Sequence, residues 1–341
     1  MKSLQIAVAT LALASIAAAS AAQDRPTAAV APASVTPTKK WTTPRTPWGD
    51  PDLQGTYSNR TITPFERPAN VGGRDFFTKE EVAALEKAAQ QGGGDEGRSK
   101  GTVADVARAY NDFWWDRGTK VTTARTSLVV DPPDGRVPAL TADAKKRELD
   151  EPKRPSFRGT GATGRGTDSW LDRGTLERCL TRGMPGAMSP TAYNNNYRFV
   201  QGPGFVAIQI EMLGGTRVIP TDGRSHVRSS IRQLMGDSVG HWEGDTLVVD
   251  TTNFTDKVLY RGAAENLHLI ERFTRIGPAQ IDYRVTVIDP STFTKPWTVA
   301  IPYQDIGEDL FEYACHEGNY GMEGILSGAR EEERAAAGKG K

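Results

Sequence analysis

In eight short runs between residues 197 and 303 apolar residues recur at about every second position, and Gly- and Pro-containing turns separate several of the runs. A period of two is the signature of an extended chain with one buried face, because successive side chains point to opposite sides. Residues 197–201, 205–211, 216–220, 240–243, 246–251, 267–275, 280–288 and 297–303 therefore read as strands. A Glu243-Gly244-Asp245 turn joins the fourth to the fifth. An earlier strand at 127–130 meets the turn Asp131-Pro132-Pro133-Asp134-Gly135-Arg136. A meander of about eight such strands closes into a barrel or stacks as a sandwich. The expected fold class is mainly β: an antiparallel, lipocalin-like meander with one or two short helices in the N-terminal region. A barrel with an apolar mouth is a ready ligand site.

Helical signals are few and precede this stretch. Thr78 followed by Glu81 forms a capping box, which predicts a helix that ends before Gly92-Gly93-Gly94. A second helix is expected over 103–113, leading into Trp114 and Trp115, and a short surface helix within the charged segment 143–158. The spacing Gly159-x-Gly161-x-x-Gly164 imitates a nucleotide fingerprint, but no strand precedes it and no acidic partner follows at the right place. It reads as a loop. The organisation expected is a signal peptide at 1–22, a flexible lead-in at 23–47, an N-terminal segment with a helix at 48–120, a barrel-like domain at 121–330 and a disordered tail at 331–341.

The signal peptide rests on Met1-Lys2-Ser3, an Ala-rich apolar run over 4–19 and the small residues Ser20-Ala21-Ala22. No Cys follows them, so a lipoprotein anchor is not expected, and no later apolar stretch could span a bilayer. The protein is expected in the periplasm or outside the cell. In an oxidising compartment the two cysteines, Cys179 and Cys315, default to a disulfide; the alternative is two free thiols with His316 beside them. Forty-two basic residues against 42 acidic ones leave no net charge. That argues against nucleic acid and a membrane surface as partners and leaves a small-molecule substrate or ligand.

Five segments carry a family resemblance: PWGDPDLQGTY (47–57), NNNYRFVQ (194–201), IRQLMGDSVGHWEGDTLVVDTTNF (231–254), ENLHLIERFTR (265–275) and EYACHEGNYGMEGILSGAR (312–330). Together they resemble a large family of secreted bacterial proteins of unknown function. The resemblance implies an exported, mainly β protein and carries no activity with it.

All four histidines, His226, His241, His268 and His316, lie in the C-terminal half. One reading brings His226, His268 and His316 together in the barrel mouth as general acid and base, with Asp237 and Glu271 as catalytic carboxylates. A second binds a metal ion through histidines with Glu211 or Glu271, although no HxH or HxxxH spacing supports it. A third leaves four unrelated histidines with local partners. Glu211 and Arg217 sit where a strand pattern expects apolar residues and are candidates for substrate binding, or for pairing inside the barrel. Tyr193, Asn195 and Tyr197, from an amide-rich loop, and Trp115 complete the expected binding set. His268 and Glu271 are three apart, so on a regular strand they face opposite sides. No cofactor is predicted, and neither a Gly-x-Ser-x-Gly elbow nor a P-loop is present. The activity expected is acid–base chemistry, by a lyase, isomerase or hydrolase, on an aromatic, terpenoid or glycosidic compound. The alternative is a non-catalytic binding protein.

Overall fold

The alternation read in the sequence becomes one antiparallel sheet. The computed structural model describes residues 41–91, 116, 118–150 and 166–339. The expected signal peptide, the lead-in up to residue 40, the helix at 103–113, Trp114, Trp115 and the loop at 159–165 lie outside the described residues. The strands are β1 (Gly55–Ser58), β2 (Val129–Asp131), β3 (Asn196–Gly202), β4 (Phe205–Ile210), β5 (Thr216–Pro220), β6 (Asp237–Glu243), β7 (Thr246–Thr252), β8 (His268–Gly277), β9 (Gln280–Ile288) and β10 (Trp297–Asp305). Their order is β5-β4-β3-β1-β10-β9-β8-β7-β6, which curls into a nearly closed barrel.

The eight strands expected as one meander are two, a three-stranded one (β3–β5) and a five-stranded one (β6–β10). β1 stitches them together by pairing with β3 on one side and with the end of β10, at Gln304 and Asp305, on the other. β2 takes the other half of that edge of β10, at Thr298 and Val299. β5 and β6, consecutive in the chain, share no ladder, and they form the seam of the barrel. Pro220 ends β5, a residue suited to a strand edge because it has no N–H to offer.

The interior is filled with side chains. Tyr57, Tyr197, Phe199, Phe273, Tyr283 and Tyr303 are fully buried. Their ring centroids stand 4.5–6.2 Å apart in a continuous aromatic column. Offset-stacked and edge-to-face pairs of this kind add to the area each ring buries. A second aromatic group centres on the buried Trp297, with Phe65, Tyr260 and Phe293 at 5.6–6.2 Å from its ring.

Among the described residues three α-helices lie outside the barrel. In α1 (Lys79–Gln91) the capping box is reciprocal: Thr78 N donates to Glu81 Oε2 at 2.8 Å, and Glu81 N to Thr78 Oγ1 at 3.2 Å. The acceptors satisfy N–H groups that the first helical turn leaves free. α2 (Ala142–Asp150) is the expected surface helix. α3 (Tyr320–Lys339) runs through 331–339, the stretch that reads as a tail. Its last turns are Glu, Arg and Ala, strong helix formers, with ion pairs Arg330–Glu333 and Arg334–Glu331 at i,i+3. The disulfide Cys179–Cys315 fastens this C-terminal arm to the 175–180 turn. No helix among the described residues is long and apolar enough to cross a membrane.

Candidate functional site

Where the ladder fails between β5 and β6, other contacts close the seam. At one end, a Cβ on Gly240 would sit 2.9 Å from Ile219 Cγ2. Only glycine lets β5 and β6 approach so closely there. At the other end the Arg217 side chain crosses from β5. Its Nε and Nη2 donate to Ser238 Oγ of β6 at 3.1 and 2.8 Å, and Nη2 donates to Thr251 Oγ1 of β7 at 2.8 Å. Nη1 and Nη2 also hold Glu271 of β8 in a bidentate pair at 2.9 and 2.5 Å. Tyr283 OH of β9 donates to the same carboxylate at 2.8 Å. Burial works against the charge on Arg217. The Glu271 carboxylate outweighs it and holds the guanidinium above its ordinary value.

Along this seam lies a cavity of about 490 Å³, within the size range of small-molecule sites. Its walls come from the 180–187 segment, the end of β4, the Met212–Gly215 turn, β5, the 224–236 loop and the start of β6. The lining is apolar at Leu180, Ile210, Met212, Leu213 and Met235, and charged at Arg182, Arg217, Arg224 and Asp237. The loop is tied down at several points. Asn253 Nδ2 donates to Val227 O at 3.0 Å, and Arg232 Nη1 donates to Phe254 O and Glu265 O at 2.9 Å.

Asp237 belongs both to this lining and to a chain of acid and imidazole groups. Its Oδ2 accepts from Val227 N at 3.0 Å and faces His226 Nδ1 at 2.7 Å. His226 Nε2 faces Asp250 Oδ1 at 3.1 Å, and Asp250 Oδ2 faces His268 Nε2 at 2.9 Å. The order is Asp237–His226–Asp250–His268. Both ring nitrogens of His226 face carboxylate oxygens, so both bonds are complete only when both carry a proton. Asp237 Oδ1 receives no hydrogen bond from a described residue. His226 itself does not line the cavity. Asp250 and His268 stand on the outer face of β7 and β8, about one-third exposed.

The expected site residues thus divide. His226, His268 and Asp237 are brought together, through Asp250, at the rim of the seam cavity and on the outer wall of the barrel. His316 is exposed in the turn after the disulfide and takes no part in that chain. Glu271 faces inward, opposite to His268, and is spent on Arg217 and Tyr283. Arg217 reaches the cavity lining from the same pair. Tyr193 and Glu211 line a second cavity of about 530 Å³ with Tyr313 and Cys315. There Tyr193 stacks on Tyr313 at 6.4 Å, and Asn196 Nδ2 donates to the buried Glu211 at 2.8 Å. Asn195 and Tyr197 are buried, and the fold uses their polar groups. Asn195 Oδ1 accepts from Thr191 N at 2.7 Å, and its Nδ2 donates to Asp116 O and Thr191 O. Tyr197 OH donates to Ala187 O at 3.1 Å and accepts from Asn59 Nδ2.

Sequence reasoning missed Asp250 and Arg182. Asp250 reads as a polar strand end. Only the β7–β8 register, with Thr251 opposite Leu269, puts it diagonally across from His268 on the outer face. Among the described residues no group of three or more His, Cys, Asp or Glu is placed to hold a metal ion. No family model matches the chain, and no curated protein is similar to it in sequence.

Proposed function

We propose that this protein is an exported enzyme that performs acid–base chemistry on a small organic molecule bound in the seam cavity. One observation carries the reading: Asp237 lines the cavity and is at the same time the first member of the Asp237–His226–Asp250–His268 chain. A carboxylate with one oxygen held by His226 and a backbone N–H, and the other unoccupied, is placed to exchange a proton with a ligand. His226 holds Asp237 in place through the 2.7 Å contact with its Oδ2, and Asp250 and His268 lead from it towards solvent. Proton transfer of this kind serves a lyase, an isomerase or a hydrolase. Export rests on the N-terminal pattern at 1–22.

The test is turnover by wild type and by Asp237→Asn on panels of aromatic and terpenoid esters, glycosides and hydroxy compounds, read by mass spectrometry. Loss of a positioned general base costs about 10²–10⁴-fold, so Asp237→Asn should lose turnover by at least about 100-fold and keep ligand affinity. Equal turnover by the two proteins would remove Asp237 from the chemistry. The apolar wall of Leu180, Ile210, Met212, Leu213 and Met235 favours a second reading, a non-catalytic small-molecule carrier. Tight binding without turnover of any panel member would select it.

A further inference from the structure

Among the described residues, one charged residue of the seam cavity has no ion-pair partner. Four charged residues line it, three arginines and one aspartate. Arg217 has Glu271 and Arg224 has Asp222, and the Oδ2 of Asp237 is engaged by His226 and Val227 N. Arg182 is left. It is 7 % exposed, and among the described residues no carboxylate lies within ion-pair distance of it. Its guanidinium makes one hydrogen bond, a long one from Nη1 to Ser189 O at 3.4 Å. Its electrostatic neighbours are the hydroxyls of Tyr197, Tyr260 and Tyr193, and burial pushes it below its ordinary value. A guanidinium stays charged in a protein, and a buried charge is costly without a partner.

The backbone that carries Arg182 is held in place. Gly183 has φ +64°, and a Cβ there would lie 2.2 Å from Val258 Cγ1. The preceding Thr181 donates from Oγ1 to Met235 Sδ across the cavity wall and accepts from Gly183 N at 3.0 Å. Arg182 therefore takes its place in the cavity wall from a rigid turn.

We infer that the seam cavity takes an organic monoanion, a carboxylate on an apolar body, with Arg182 as the counter-ion of the carboxylate. The inference rests on the reading of this cavity as a ligand site and adds the chemical class of the ligand. Planar, bidentate pairing with a carboxylate is what a guanidinium does best. One guanidinium without a carboxylate partner matches one carboxylate; a dianionic phosphate calls for more donors. The body of the ligand lies against Leu180, Ile210, Met212, Leu213 and Met235, and its other end comes within the reach of Asp237.

The probes are two fluorescent dyes with the same aryl skeleton, 8-anilinonaphthalene-1-sulfonate and uncharged N-phenyl-1-naphthylamine. The full chain should bind the sulfonate more tightly. Arg182→Gln should weaken the sulfonate about 10- to 100-fold, the range for a hydrogen-bonded charge, and leave the uncharged dye within about twofold. Arg182→Lys should recover part of the loss. 4-Phenylbutyrate should displace the sulfonate, and 4-phenylbutan-1-ol should not. If Arg182→Gln fails to fold, the dye preference and the competition, both measured on wild type, decide. Two dyes bound equally by wild type, or both unaffected by Arg182→Gln, would overturn the anion inference and leave the cavity as a ligand site. Failure of both dyes to bind would remove the ligand site itself.

Discussion

Glu271→Ala tests the logic of the seam most directly. The substitution removes a carboxylate that accepts four hydrogen bonds: two from Arg217, one from Tyr283 OH and one from Thr251 Oγ1 at 3.2 Å. Arg217 then keeps only the hydroxyls of Ser238 and Thr251, with 4 % of its side chain exposed. Removing one partner of a buried pair costs about 3–5 kcal/mol. Folded domains have about 5–15 kcal/mol in all, so the variant gives up a large share of its stability. With a urea m-value of about 3 kcal/mol/M, the midpoint falls by more than about 1 M. Tryptophan fluorescence through a urea titration reads it. Arg217→Met with Glu271→Leu removes both charges, and such replacements are often neutral. That double variant should recover all but about 1–3 kcal/mol, the cost of leaving the Tyr283 hydroxyl without its acceptor. Hydrogen exchange in Glu271→Ala should rise first in β5 and β6, which have no ladder between them to hold the seam. If single and double variants unfold at the same midpoint, the pair carries no coupling and packing at Gly240 alone closes the barrel.

Two further outcomes follow from the same coordinates. The Cys179–Cys315 bond closes a 136-residue separation, for which chain entropy allows at most about 5 kcal/mol. It ties an arm to the barrel and lies outside it, so Cys179→Ser with Cys315→Ser should lose less than that, and trypsin should cut the 306–339 arm well before the barrel; simultaneous cleavage would contradict this. At high pH, burial holds the phenols of Tyr57 and Tyr197 at about 12, raises Tyr260, and pushes Tyr283 and Tyr303 further up. Their stabilising effect is whole below the unfolded phenol value of about 10 and is lost as pH rises through 12. Absorbance at 295 nm should show these five of the nine tyrosines ionising together with unfolding. Smooth independent titration of all nine would count against the aromatic column.

Strands, cap and disulfide were legible because each is written locally or by elimination. A period of two needs only its own segment, the Thr78–Glu81 box spans four residues, and two cysteines allow one bridge. What could not be read is register and closure. Nothing near residue 55 says that β1 will sit between β3 and β10, some 140 and 250 residues away. The candidate site shows the same division. His268 and Glu271 attract notice together because they are close in sequence. On a regular strand they part, one to Asp250 outside and one to Arg217 inside. Arg182 follows no periodicity and lies in a turn, so only its burial and its missing partner make it visible.

The place of the candidate site follows from the barrel's one unpaired joint. Strand edges left open invite pairing with other chains and have to be covered. Here β5 is short and ends in Pro220, and Arg217 spends its donors across the gap to β6. The segments at 180–187 and 224–236 cover the rest. These segments owe their positions to anchors such as Gly183, Arg232 and Asn253 rather than to a ladder, so they need not fill the seam as densely as the aromatic column fills the interior. Where the cover falls short, a cavity remains. Residues facing it come from both meanders and two loops, which brings Arg182, Asp237 and an apolar wall together without disturbing any strand of the core. A barrel closed by ten full ladders would have had no such joint, and its packed interior leaves little room for a ligand. In this chain the incomplete closure of the barrel is what leaves the cavity of the candidate site.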